Sequence, residues 1–543
     1  MRHPFDFDPL YAPHPSRRIP IYARNGMVAA SSALASAAGL SMLRQGGNAV
    51  DAIVATAAAL TVLEPTSNGL GSDAFALVWQ NNALHGLNAS GPAPQAISIE
   101  KVLARHGGPA MPRYGWTPVT VPGAVGAWAA LSARFGKLPF ATLLEPAIAY
   151  ASEGYPVPPM LAFLWGEAFQ TLREHCTGPE FAAWYSTFAP QGRAPLAGEI
   201  VRLPHHARSL QAIAQSRAED FYRGDLAARI AAESAAFDGY LSAADLAAFQ
   251  PQWVDPISVS YRGCELWEIP PNGQGITALM ALNILKEFPL ESLDAVEARH
   301  LQWEAMKLAF ADARHYVTDN RHMAVDYHNF LEPAFGAARA RQITSQAALP
   351  APVQLPKGGT VYLCAADAQD NMVSYIQSNY MGFGSGIVVR DTGIALQNRG
   401  ADFSLDPQHA NCLQPGKKTY HTIIPAFITK GGRPIGPMGV MGAYMQPQGH
   451  VQVMCNLVDF KLNPQQALDA PRWQWVGDRR FLVEPSFPVE TARQLAGKGH
   501  EVEVALQSTS FGRGQLILRL DNNVLVGAAE PRTDSNICSL IHI

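Results

Sequence analysis

An α+β architecture follows from three features of the 543-residue chain. Helical spacing dominates the first part, up to a Pro-, Ala- and Gly-rich stretch at Ala347–Gly359. Strand patterns dominate after Thr360, where Val361, Leu363 and Ala365 fall on one face at period 2. The third feature is composition: 48% of residues are apolar and only 16% charged. That is a well-buried balance, at a length beyond one compact core. A helix-rich part followed by a strand-rich part fits stacked α and β layers.

The elements follow in order. Leu34, Ala38, Met42 and Leu43 give a helix over Ser31–Gln45, and Gly46-Gly47-Asn48 caps it and opens the next. Ala49–Leu63 is apolar all round, hence a buried helix, and Asp51 in its first turn suits the dipole as a structural carboxylate. Asn68-Gly69-Leu70-Gly71-Ser72-Asp73 is a turn built for close backbone packing, and Ala74–Trp79 with Ala83–Leu87 reads as a hairpin about Asn81-Asn82. Helices are expected at Ala127–Phe135, through most of Phe140–Phe249, and at Gly275–Leu285 and Ala298–Tyr316. Two short strands lie in Ile257–Trp267, and Pro270–Gly273 is a turn. The connector Ala347–Gly359 is a suitable place for a chain break. Beyond it, strands are expected at Asn371–Ser378, Gly393–Gln397, His421–Ile428, His500–Ala505, Gln515–Leu520 and Val524–Gly527. Helices are expected at His450–Phe460 and Val489–Ala496.

Several functions are excluded or left without support. A net charge of −4 offers no basic footprint for nucleic acid. The six cysteines form no CxxC pair, and the adjacent His205-His206 cannot share a face, so no metal site is expected. Gly69–Asp73 lacks the Lys-Ser/Thr of a phosphate loop, and Gly382-Phe383-Gly384-Ser385-Gly386 fails as a serine-hydrolase elbow at Phe383. Met1–Arg18 has no apolar run and no stretch approaches a membrane span, so a soluble, cytoplasmic protein without membrane contact is expected.

The chemistry centres on Gly358-Gly359-Thr360. Cutting the Gly359–Thr360 bond would give Thr360 both a hydroxyl nucleophile and a free α-amine, whose pKa of about 8 suits it as the base. The same residues also make an ordinary turn before a β-branched strand.

The order of short motifs chooses between these readings. Gly46-Gly47-Asn48-Ala49-Val50-Asp51-Ala52, Val121-Pro122-Gly123-Ala124-Val125-Gly126, Glu304-Ala305-Met306-Lys307, Gly359-Thr360, Phe383–Gly386 and Gln397–Ser404 together resemble the γ-glutamyltransferase family, from about Gly26 to about Asp534. The resemblance implies a four-layer αββα N-terminal-nucleophile hydrolase that cuts itself before Thr360. Residues 1–359 would form a large subunit and 360–543 a small one, which stay associated without metal or organic cofactor. A homo-oligomer of that unit is compatible with it.

Carried over, Thr360 matches the nucleophile and Ser378 the second hydroxyl that bonds it. Gly442-Ala443 matches the backbone pair of the oxyanion hole, provided Ala443 accepts the backbone angles. Asp402 matches the aspartate that grips a substrate α-amino group. The departures concern the substrate. Ala89 stands at the place of the carboxylate-binding arginine, His421-Thr422 replaces a serine pair, and Tyr380 replaces an asparagine. Arg399, one turn before Asp402, could supply a replacement charge, either neutralising Asp402 or holding the carboxylate of a compact amide acid. The implied activity is hydrolysis of a small amide acid such as oxamate. The alternatives are γ-glutamyl amides such as glutathione, an acyl side chain as in cephalosporin acylases, or a non-catalytic relative.

Overall fold

The computed structural model describes residues 18–350, 355 and 358–540. The N-terminal stretch Met1–Arg17, Lys357 and much of the Ala347–Gly359 connector lie outside them. Two seven-stranded sheets form the centre. The first runs Asn536–Leu540, Gly26–Ala30, Gly359–Asp367, Met372–Tyr380, Asp73–Gln80, Ala83–Ala89 and Gln252–Val254. The second runs Ile21–Ala23, Leu525–Ala529, Arg513–Arg519, Arg433–Met441, Ala426–Lys430, Cys264–Glu268 and Ile257–Tyr261.

Alternation along the strands fixes the layers. Val361, Leu363 and Ala365 pack with Val50, Ile53 and Val54 of the Ala49–Leu63 helix on the outer face. Tyr362, Cys364 and Ala366 turn inward, to meet Phe427, Met441 and Ile517 of the second sheet. The outer face of the second sheet is covered by the helices Gly275–Leu285, Ala295–Tyr316 and Met445–Val458. The result is the four-layer αββα sandwich. Each sheet takes strands from both sides of Thr360, so the helix-rich and strand-rich parts of the sequence are interleaved in space.

Local chemistry places the elements. Asn48 accepts N–H bonds from Val50 and Asp51, while Asp51 accepts from Asn48, a reciprocal cap that makes Asp51 structural as expected. Gly123 passes so near the next segment that a Cβ there would stand 1.8 Å from the Ala89 carbonyl oxygen, which accounts for the glycine of Val121-Pro122-Gly123. Two expectations are corrected. Arg433–Met441 is a central strand that the alternation does not reveal, because Pro434, Gly436, Pro437 and Gly439 interrupt it; Gly439 lies against the Tyr362 ring. His421–Ile428 is only partly a strand. Ala426–Lys430 joins the sheet, whereas His421 pairs with the turn after Pro271 through His421 N–H to Asn272 O and Gln274 N–H to His421 O, both 2.9 Å.

Candidate active site

Thr360, Ser378 and Asp73 come together at one end of the inner face. The strand Gly359–Asp367 pairs antiparallel with Met372–Tyr380, and a bulge between Gly359 and Val361 breaks the ladder at the threonine. Ser378 lies directly across from Asp73 on the next strand. Thr360 Oγ1 lies 2.7 Å from the Gly359 carbonyl oxygen and 3.0 Å from Ser378 Oγ. Ser378 Oγ stands 2.8 Å from the same carbonyl and accepts the Tyr380 N–H at 2.8 Å. A hydroxyl so placed can polarise the Gly359 carbonyl while Thr360 Oγ1 attacks its carbon.

The Gly442-Ala443 turn leads from the second sheet into the helix Met445–Val458, all of which is buried. Gly442 has φ +135° and Ala443 φ +51°. Ala443 thus accepts the left-handed region, at a typical cost of about 1–2 kcal/mol for a residue with a Cβ. A Cβ on Gly358 would lie 3.2 Å from Ala443 Cβ, which puts the chain before the scissile bond beside this turn. Gln274 ties the turn to the next feature, donating to the Ala443 carbonyl at 2.9 Å and the Thr422 carbonyl at 2.6 Å. Gly359 and Gly442 border a cleft of about 450 Å³, with Ser67, Met381, Gln474 and Arg513 also on its wall.

Behind the turn lies a buried charged cluster. Asp402 accepts from the Tyr444 hydroxyl at 2.7 and 2.9 Å, and Arg314 Nη1 approaches it to 3.6 Å while donating to Tyr444 at 2.6 Å. Asp402 is therefore paired with the Arg314 charge and hydrogen-bonded by Tyr444, and no hydrogen bond or ion pair with Arg399 is present among the described residues. Arg399 has no exposed surface. It donates to Thr422 Oγ1 at 2.7 Å, lies 4.1 Å over the Tyr380 ring, and brings Nε within 3.7 Å of Asp73 Oδ2. Its Nε and Nη2, and the Tyr380 hydroxyl, have no hydrogen-bond partner among the described residues. Ala89 is buried on the neighbouring strand, paired with Ala74 next to Asp73. Arg399 thus faces Asp73, the residue before Ala74, which pairs with Ala89.

Burial pushes the Asp73 carboxyl up to about 7, against the pull of Arg399. Burial, with the charges of Arg399 and Lys418, holds His421 well below the usual imidazole range, so it is neutral and donates Nε2–H to Asp73 at 2.9 Å. A raised carboxyl has a definite sign in stability. The folded chain holds a proton between about pH 4 and 7 that the unfolded chain releases, so this contribution is full below pH 4 and is lost as pH rises through 7. Asp73→Asn is expected to flatten the fall in urea midpoint between pH 4 and 7. Equal slopes in wild type and variant would exclude Asp73 as the titrating group.

All ten residues singled out from the sequence, with Gly359, fall in this region of the fold. Asp73, Arg314, Tyr444 and Gln274 were missed. Only Asp73 carried a signal, a single carboxylate opening an otherwise apolar strand.

A sequence profile described as γ-glutamyltranspeptidase matches residues 35–540. The chain belongs to the γ-glutamyltranspeptidase family. It is an enzyme, and its curated relatives carry hydrolase names. A glutathione hydrolase-like proenzyme of Bacillus subtilis is 36% identical over 94% of this chain and 97% of its own length. An oxamate amidohydrolase proenzyme of Klebsiella pneumoniae is 34% identical over 94% and 97%. Among solved structures, a cephalosporin acylase from Bacillus halodurans is 55% identical, with TM-score 0.95 over 99% of this chain and all of its own. Both of these curated relatives are named as proenzymes. No helix among the described residues is long and apolar enough to cross a membrane.

Proposed function

We propose that the chain cuts itself between Gly359 and Thr360 and then hydrolyses, through Thr360, the amide of a small acyl group that ends in a carboxylate. Oxamate is the shortest such substrate. Ser378 orients the nucleophile, and the Gly442 and Ala443 amides, at the N-terminus of a buried helix, stabilise the oxyanion. The observation that carries the substrate class is the buried Arg399 fork, in which Nε and Nη2 make no hydrogen bond among the described residues and only Nε faces a carboxylate, Asp73 at 3.7 Å. A buried guanidinium with free donors is matched by a carboxylate, bidentately where geometry permits. Asp73, its carboxyl pushed up to about 7, is only partly ionised at pH 7 and leaves that charge incompletely compensated.

Asp402 supports the same choice. With Tyr444 and Arg314 already on it, it is poorly free to hold a substrate ammonium group, so a full glutamyl α-amino-acid head is disfavoured. A longer acyl chain ending in a carboxylate is the second reading, favoured by the 55% identity to a protein titled cephalosporin acylase. The test is competition at equal concentration among oxamate, a glutaryl anilide and a γ-glutamyl anilide. The acids without an α-amino group are expected to win. A hundredfold preference in kcat/KM for the γ-glutamyl compound would overturn the assignment.

A further inference from the structure

The motif Glu304-Ala305-Met306-Lys307 lies outside the site and has no part in the chemistry above, yet both of its charged side chains are buried. They sit on the helix Ala295–Tyr316, one turn apart, with Lys307 Nζ 2.5 Å from Glu304 Oε1. Together they hold both backbone groups of one residue. Ala348 donates its N–H to Glu304 Oε2 at 3.3 Å, and Lys307 Nζ donates to the Ala348 carbonyl at 2.6 Å. One turn earlier, His300 Nε2 is 2.7 Å from the Thr344 carbonyl and its Nδ1 is 2.9 Å from His500 Nε2. His500 and Lys498 belong to the chain after Thr360. Lys498 accepts the Ala347 N–H at 2.8 Å and reaches Glu297 at 2.7 Å.

His300, Glu304 and His500 are close enough to suggest a metal site. Two features oppose it. The Lys307 ammonium already neutralises the Glu304 carboxylate, and the two imidazoles already bond to each other. Burial, with the nearby charge of Lys307, depresses His500 to about 3, so its ring is neutral and the contact is N–H to N.

We infer that Glu304 and Lys307 form a latch that fixes the tail of the segment before the cut, at Ala348, onto the helix Ala295–Tyr316, which the His300–His500 and Ala347–Lys498 contacts join to the segment after the cut. Glu304 and Lys307 are positioning residues. They set the point from which the chain runs the remaining eleven residues to Gly359, and that point stays docked when the bond is cut. The second half of this statement rests on the self-cleavage proposed above; the latch itself does not.

Hydrogen exchange read by mass spectrometry tests both. Glu304→Gln/Lys307→Met and the conservative Lys307→Arg are made in the wild-type chain and in uncut Thr360→Ala. The peptide over residues 344–348 is expected to exchange at least tenfold faster in the double variant, in both backgrounds. The helix Met445–Val458 should keep its protection, and Lys307→Arg should keep most of the latch. Unchanged exchange at 344–348, or protection lost equally across the protein in both variants, would overturn the latch. So would stoichiometric zinc binding abolished by His500→Ala, which would make the cluster a metal site. A wild-type chain that is never cut refutes the self-cleavage proposal alone, because the Thr360→Ala comparison still decides the latch.

Discussion

Thr360→Ala is expected to remain a single chain of 58.5 kDa and to hydrolyse no amide above background. The alanine removes the one atom that, in the proposed reaction, attacks the Gly359 carbonyl and, after the cut, attacks substrate. Loss of a nucleophile commonly lowers turnover by about a thousandfold or much more. The fold should survive, since alanine deletes only one methyl and one hydroxyl, the latter with contacts at 2.7 and 3.0 Å. Thr360→Ser retains the hydroxyl and is expected to cut itself, more slowly. Ser378→Ala lies between the two, because it removes the group that polarises the Gly359 carbonyl but not the nucleophile. The measurement is intact mass against time, followed by N-terminal sequencing of the small fragment. A fragment beginning at any residue other than Thr360, or cutting by Thr360→Ala, would defeat the assignment.

The second large effect is expected at Arg399. Arg399→Met removes a buried charge that donates to Thr422 and faces Asp73. A hydrogen bond to a charged group is typically worth about 1.5–3 kcal/mol. Two from one fork to a substrate carboxylate therefore predict a loss of roughly 100-fold or more in kcat/KM on amide acids. Amides of uncharged acyl groups should lose far less, and the contrast separates a lost contact from a damaged fold. Arg399→Lys should recover only part of the loss, since an ammonium is a point charge and not a planar fork. Asp73 provides an internal control. Without Arg399 its carboxyl loses the attraction that opposes burial, so its proton should persist to higher pH. Equal losses on charged and uncharged acyl groups would show that Arg399 supports the fold and not the substrate.

What was legible in the chain depended on whether one segment carried its own pattern. Ala49–Leu63 is apolar on every side with a reciprocal cap at its start, and its helix has the expected bounds. The strand after Thr360 announces both faces by alternation. Arg433–Met441 does not, because its glycines serve close packing against Tyr362, which a hydrophobic pattern does not record. The site divides in the same way. Thr360, Ser378, Gly442 and Asp402 were legible through motifs of a known order. Their partners were not, since Arg314 arrives from a long helix, Tyr444 from the turn after Ala443 and Gln274 from the loop after Pro271. Arg399 was legible as a charge in search of a partner; that the partner is Asp73, beside Ala89, follows only from strand register.

The interleaving of the two sheets bears on how the mature protein must be made. Gly359–Asp367 lies between Gly26–Ala30 on one side and Met372–Tyr380 on the other, so a cut before Thr360 leaves each fragment holding strands that the other completes. Folding of the intact precursor is a first-order event, indifferent to dilution. After the cut, the same sheets can be rebuilt only by two chains that find each other, and each alone presents unpaired strand edges prone to wrong partners. The proposed cut would thereby set the order of events: the chain folds once, while it is continuous. Unfolding of the mature form becomes in practice a one-way loss, governed by the rate of opening more than by an equilibrium.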